Sequence, residues 1–345
     1  MFRKSIKIAL TVSIGGIFLW LAFRNVPLDE LWEYARKISF GWIPPFIVVA
    51  LVSHYLRAER WKLLIEHDKK GLDRFTLFSG VMAGYLLNLV FPRLGEVTRP
   101  VYVARREGLS SSKLIGTIVL ERTIDIAVMG FLMFVVSVYM ITDPSLLSQI
   151  FGEDTVRFFS GGMRIEGVLW LLLAGLLVAA LLYLMWKALE FLGRRFEFFD
   201  YWVRRFRELL LLFWEGLASA RKVKRWWLFI LLTLLIWIGY TFMSYIPFWM
   251  FDMQSLFGLT FLDALVITVI SAIGITIPSP GGVGTYHYFV KQSLLILFAV
   301  PAVTGIAYAT ITHAAMVLLV ATSTPIILAI DKFNATKRDK PFVSR

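Results

Sequence analysis

Three ionisable residues, Glu121, Arg122 and Asp125, interrupt an apolar run over residues 114–141. On a helix Glu121 is four residues and Arg122 three residues from Asp125, so each can neighbour Asp125. A charge at membrane depth costs at least ~2.5 kcal/mol on insertion scales, so each carboxylate needs a partner. Arg122 can neutralise one of them, and the other calls for a second base, Arg93 or Arg99. Two readings stand side by side: a substrate or proton site, and a structural salt-bridge network near the cytoplasmic interface.

A second group follows Pro92, where Arg93, Glu96 and Arg99 recur every third residue. Pro92 suits the start of a helix, and the three would then form one charged face. Backbone N–H groups at such a helix start, with two guanidiniums, can hold a phosphate; the alternative is a solvated cytoplasmic loop. A third feature is the turn built by Pro278, Ser279, Pro280, Gly281, Gly282, Val283 and Gly284 between two apolar runs. Prolines end the preceding helix, and the glycines allow positive φ and an N–H nest that favours an anion. The plainer alternative is a tight helix–helix turn. It lacks the Lys-Ser/Thr of a nucleotide-binding loop, so ATP is excluded. Arg57 and Arg60 share a helix face by their spacing of three. Lys291 lies within an apolar run and could face a cavity or snorkel to an interface. The histidines are dispersed and no H-E-x-x-H occurs, so neither a metal nor a cofactor is expected, and no Ser-His-Asp set is recognisable. Several tryptophans, among them Trp20, Trp42, Trp226, Trp227 and Trp249, fall near span ends and read as interface anchors.

These residues need helices to position them, and the composition says of which kind. The chain has 345 residues, 58% of them hydrophobic, and no cysteine. Its mean hydropathy is +0.71. Charged residues make up 17%, against about 25% in an average soluble domain. This is the composition of an all-α polytopic membrane protein, and thiol chemistry is excluded. Full spans are predicted over 6–23, 42–65, 114–141, 168–186, 226–251 and within 302–330. The run 75–91 stops at Pro92 and the run 261–300 is broken at Pro278–Gly284, so 75–108 and 261–300 are expected to form re-entrant helical hairpins. A single transmembrane domain therefore fills residues 1–345, with a basic amphipathic segment at 187–225 on the cytoplasmic surface and a basic tail at 331–345. With both termini cytoplasmic, 29 of the 36 Lys and Arg residues fall on the cytoplasmic face, as the positive-inside rule requires. Two opposed hairpins follow the inverted logic of transporters, although no sequence repeat accompanies them. The net charge of +12 then reflects topology and anionic lipid rather than nucleic acid.

The order of these motifs resembles a known family. Asn88-x-x-x-Pro92-Arg93-x-Gly95-Glu96-x-x-Arg99, then Glu121-Arg122-x-x-Asp125, are similar to hallmarks of the lysylphosphatidylglycerol synthase transmembrane-domain family, also called the flippase-like domain family. Leu56-Arg57-Ala58-Glu59-Arg60-Trp61 resembles the basic end of that family's second span, and Pro280-Gly281-Gly282-Val283-Gly284 its later turn. The resemblance covers nearly the whole chain, from about residue 2 to 332. It implies an inner-membrane protein related to the lipid-translocating half of the synthases, without their soluble aminoacyl-transferase domain and so not itself a synthase. One departure is His287, where family members often carry an acid; recognition of a cationic headgroup does not carry over there.

The expected function is a flippase-like lipid transporter rather than an enzyme. Its partners would be membrane lipids, either anionic or aminoacylated phospholipids, and a homo-oligomer is compatible with it. Arg93, Arg99 and Arg122 would contact a lipid phosphate. Glu96, Glu121 and Asp125 would orient them or bind a cationic group, and 278–284 would supply backbone donors. Two alternatives are a membrane-embedded transferase or accessory subunit acting on a lipid-linked substrate, with Glu121 and Asp125 as base or metal ligands, and a lipid-binding scaffold.

Overall fold

The computed structural model describes residues 2–142 and 223–338, apart from 25, 37, 67 and 68, with a few isolated positions between. The predicted span at 168–186, most of the basic segment 187–225 and the end of the tail lie outside the described residues. Those described form an all-α bundle without strands. Its helices are α1 (Phe2–Phe23), α2 (Leu28–Arg36), α3 (Ile43–Ile65), α4 (Arg74–Val90), α5 (Gly95–Glu107) and α6 (Ser111–Thr142). After the undescribed stretch come α7 (Trp226–Met250), the short α8 (Met253–Phe257), α9 (Phe261–Thr276), α10 (Thr285–Phe298) and α11 (Ala302–Arg338).

Among the described residues three stretches are long and apolar enough to cross a membrane: Phe40–Ile65, Trp226–Met250 and Ala302–Thr336. α3 opens on Pro44 and Pro45, which are tolerated where N–H groups lack partners anyway. α4 has 17 residues and α9 has 16. At 1.5 Å per residue each reaches only about 25 Å, short of a hydrocarbon core of about 30 Å. Each instead turns back on its successor, α4 against α5 and α9 against α10.

The two hairpins start at opposite ends of the bundle. Asp73 caps α4 by accepting from Thr76 N at 2.9 Å. Beside it, Lys69 Nζ donates to the Glu107 carboxylate at 2.8 Å and to the Glu107 carbonyl at 2.7 Å, so α5 ends where α4 began. α9 begins in a capping box between Thr260 and Asp263. Asp263 also accepts from Tyr139 of α6 at 3.1 Å, near the far end of that helix. The tips meet in the middle, where Gly281 packs against the Leu89 backbone.

Glycine is required at two of these crossings. A Cβ on Gly95 would stand 2.1 Å from the Gly84 carbonyl oxygen, so α4 and α5 touch backbone to backbone. Gly284 has φ 84° and faces the Gly15 carbonyl of α1, where a Cβ would come within 2.1 Å.

Apolar packing forms two main clusters. One, around Phe248, Met253, Ile267, Leu294 and Tyr308, joins α7, α9, α10 and α11. The other, around Trp61, Ile65, Leu77, Val103, Leu114 and Phe229, lies under the charged residues of α3, α5 and α6. Phe131, Phe134, Leu234, Leu318 and Ile326 are exposed on the bundle's outside, as lipid-facing positions would be.

Candidate functional site

Glu121 and Asp125 face inward from α6, and the guanidiniums that meet them come from α3 and α5. Arg57 Nη2 lies 2.5 Å from Glu121 Oε1 and 2.9 Å from Asp125 Oδ2. Arg60 Nη2 lies 2.7 Å from Asp125 Oδ1 and 3.6 Å from Glu121 Oε1. Arg99 Nη1 donates to Glu121 Oε1 at 3.0 Å. Arg60 and Glu121 are fully buried and Arg57 and Arg99 nearly so. Among the described residues three guanidiniums thus face two carboxylates in a largely buried space, which leaves one positive charge in excess.

The surrounding side chains hold the arginines rather than cancel that charge. Arg57 Nη1 donates to the Tyr240 hydroxyl of α7 at 3.0 Å. The Arg99 guanidinium sits 4.0 Å from the centroid of the Trp61 ring, and Trp61 is fixed in turn by donating to Thr117 Oγ1 at 2.8 Å. Arg99 Nε and Nη2, and Arg60 Nε, are buried without a hydrogen-bond acceptor among the described residues. Donors left this way are costly and invite an acceptor from outside the protein.

A narrow open cleft leads to Arg57 and Arg99. Arg57, Tyr85, Asn88, Glu96, Arg99 and Arg122 line it, with Gly84 and Gly95 at its wall. Asn88 closes its tip by accepting from the Gly95 N–H at 2.7 Å. At the mouth Arg122 Nε is 3.4 Å from Glu96 Oε1, and both side chains are well exposed.

The structure brings together Arg57, Arg60, Arg99, Glu121 and Asp125, with Glu96 and Arg122 at the rim, and revises three expectations. Arg122 does not neutralise Glu121 or Asp125 but pairs with Glu96, because consecutive helix residues point about 100° apart and Glu121 takes the inward direction. Arg99, one of the two bases expected, does meet Glu121, and Arg57 and Arg60 of α3 supply the others. Arg93 does not share a face with Glu96 and Arg99: it precedes α5, in the turn after Pro92, with φ 66° and an exposed side chain. Lys291 faces no cavity. Its Nζ donates to the carbonyls of Leu21 at 3.2 Å and Ala22 at 2.7 Å, at the C-terminal end of α1.

The turn containing Pro278, Pro280, Gly281, Gly282 and Gly284 reaches the hairpin tip but not the cleft lining. Two of its N–H groups close the turn itself, Gly282 to the Ser279 carbonyl and Val283 to that of Pro280. His313 of α11 holds it through Gly281 O at 2.9 Å. Sequence reasoning missed Asp331, which is buried and receives Tyr102 at 2.5 Å, Thr76 at 2.8 Å and Arg106 at 3.4 Å, tying α4 and α5 to α11. A lone carboxylate at the end of a long apolar run was the available signal.

With this geometry in hand, comparison with known proteins places the chain. The sequence model of the lysylphosphatidylglycerol synthase TM region matches residues 6–323. A membrane protein of the UPF0104 group from Methanocaldococcus jannaschii is 25% identical over 156 residues, 43% of this chain and 45% of that protein. The chain thus matches less than half the length of that relative. No solved structure matches. With its apolar helices and the match over most of its length, the chain is a multi-pass membrane protein and belongs to the lysylphosphatidylglycerol synthase TM region family.

Proposed function

We propose that this membrane protein acts on lipids as a flippase-like transporter, carrying a phosphate-bearing lipid between leaflets of the cytoplasmic membrane. The observation that carries this reading is the buried excess of guanidinium at the end of an open cleft, with Arg99 donors unused. An arginine pair or trio is suited to phosphate, since a planar fork donates two parallel bonds to two oxygens. Exposed apolar side chains at Phe91, Leu94, Val97 and Val119 stand on the same stretches of chain as Glu96 and Arg122. A headgroup in the cleft would leave its acyl chains against that surface, in the bilayer. Two hairpins meeting at their tips, where Gly281 lies against Leu89, are an arrangement suited to alternating access.

The test is transport by the purified chain in liposomes carrying a fluorescent phospholipid, read by quenching of the outer leaflet. The wild-type chain is expected to make the inner pool accessible, and Arg99→Ala to abolish this. Transport at the wild-type rate by a folded Arg99→Ala protein would overturn the assignment.

A further inference from the structure

We infer that the outer face of α5 holds an anionic phospholipid as a bound ligand, at a site separate from the cleft and independent of what the cleft carries. A shallow open groove runs along this helix, lined by Val97, Thr98, Val101, Tyr102, Arg105 and Arg106. The six fall into two rows with a spacing of four, Val97–Val101–Arg105 and Thr98–Tyr102–Arg106, so they share one helix face. Arg105 stands nine positions after Glu96. At about 100° per residue it therefore points to the side of α5 opposite the cleft rim. The inner side of the helix, with Arg99, Pro100, Val103 and Ala104, is buried.

Both rows change character in the same direction. They begin near the hairpin tip, where Val97 is 48% exposed, and end on two arginines about 12 Å further along the axis. Just beyond them Lys69 closes on Glu107, at the outer end of the hairpin. The guanidiniums thus lie towards the membrane surface and the valines deeper in the hydrocarbon. A phospholipid has the same order, with its phosphate at the surface and its acyl chains below. By the positive-inside rule this end is expected to face the cytoplasm, and the cytoplasmic leaflet is the one whose anionic lipids attract basic side chains.

The charge at the surface end of the groove is not cancelled among the described residues. Arg105 is exposed and makes no ion pair or hydrogen bond there. Arg106 Nε lies 3.4 Å from Asp331 Oδ2, but that carboxylate already accepts from Tyr102 at 2.5 Å and from Thr76 at 2.8 Å. Glu107 is taken up by Lys69 at 2.8 Å and by the Asp73 N–H at 3.2 Å. Two guanidiniums therefore face one carboxylate that two hydroxyls share. Arg106 is held in place by Asp331 and by the Tyr102 ring, 5.7 Å from its guanidinium, while Arg105 is open to a ligand. A free anion would use the arginines alone. The apolar half of the groove below them fits an acyl chain, and this favours a lipid as the occupant.

The experiment is photo-crosslinking, which locates the lipid as well as detecting it. The full-length chain is reconstituted into phosphatidylcholine liposomes containing a small fraction of a probe with a diazirine in one acyl chain, either phosphatidylglycerol or phosphatidylcholine. Adducts are mapped by peptide mass spectrometry. The phosphatidylglycerol probe is expected to label α5 between Val97 and Tyr102 at least about fivefold more than the phosphatidylcholine probe, the weight of one basic residue at an anionic surface. Arg105→Gln removes a side chain without a partner, so the variant should keep its melting temperature, and its phosphatidylglycerol labelling of α5 should fall to the phosphatidylcholine level while adducts on other helices persist. Equal labelling by the two probes, or labelling of α5 unchanged in Arg105→Gln, would overturn the site. Excess inorganic phosphate should leave the α5 adducts in place; their loss would assign the two arginines to a free anion and sink the inference.

Discussion

Glu121 Oε1 lies within 3.6 Å of three guanidiniums while its side chain is fully buried, so the charge it carries is shared by the whole cluster. Replacing it by glutamine leaves Arg57, Arg60 and Arg99 facing Asp125 alone. Breaking a buried ion pair in this way costs about 3–5 kcal/mol, because the charges left behind remain out of water. Arg122→Gln breaks an exposed pair and is expected to cost at most ~1 kcal/mol. Thermal unfolding in detergent should show a large fall for Glu121→Gln and a small one for Arg122→Gln. Equal shifts would mean that the inner charges are not coupled. The identity of the charged residues was legible in the sequence, since the ionisable groups in or beside apolar runs stand out. Their pairing was not. Arg122 is three residues from Asp125 along α6, yet the partner of Asp125 comes from α3, and only the packing of α3 on α6 decides that. The spacings did hold the clue: Glu121 and Asp125 are i,i+4, and Arg57 and Arg60 are i,i+3, so each couple presents one face, whereas Glu121 and Arg122 cannot share one.

At the scale of elements, the α4–α5 hairpin depends on two backbones in contact. Gly95→Ala would put a methyl group 2.1 Å from the Gly84 carbonyl oxygen and 2.8 Å from Asn88 Oδ1, the atom that closes the tip. The hairpin must splay, and Arg99, one turn further along α5, must leave Glu121. Gly116 lies in α6, and a Cβ there meets nothing within 4 Å. Gly116→Ala should therefore stabilise, by about 0.5–1 kcal/mol. Melting temperature and lipid transport measured on both variants check this: both should fall for Gly95→Ala, and neither should fall for Gly116→Ala. Element boundaries were largely readable because Pro92 and Pro278 punctuate the apolar runs, and the observed ends of α4 and α9 fall within a few residues of them. The start of α5 was placed too early. Pro92 opens a turn rather than the helix, and the left-handed backbone of Arg93 postpones helical geometry until Gly95. The role of Lys291 was out of reach of periodicity for a similar reason, since its acceptors belong to a helix some 270 residues away.

Across the whole molecule, helix ends gather into two sets, and the contacts between loops say which ends lie together. Arg225 pairs with Glu66, Lys69 with Glu107 and Arg106 with Asp331, which collects the ends of α3, α5 and α11 with the starts of α4 and α7. On the other side, Ser39 N donates to Met250 O at 3.1 Å, and Tyr139 reaches Asp263, which collects the start of α3 with the ends of α6 and α7. By the positive-inside rule the first set, with Lys69, Lys70, Arg106 and Arg225, is expected to face the cytoplasm. The second hairpin, α9–α10, then opens from the opposite side to α4–α5. The chain contains no cysteine, so single introduced cysteines report sidedness without background. Cysteines replacing the exposed Lys70, Ser110 and Lys224 should be protected from a membrane-impermeant maleimide in intact cells and react once the membrane is opened. Cysteines replacing Glu30 and Ser255 should react at once. The arrangement turns on Ser110, which follows the α4–α5 hairpin. If α4 crossed the membrane completely, a cysteine there would be labelled from outside while Lys70→Cys stayed protected. The charge at the end of the cleft would then face the other leaflet, and the direction from which a lipid enters would be reversed.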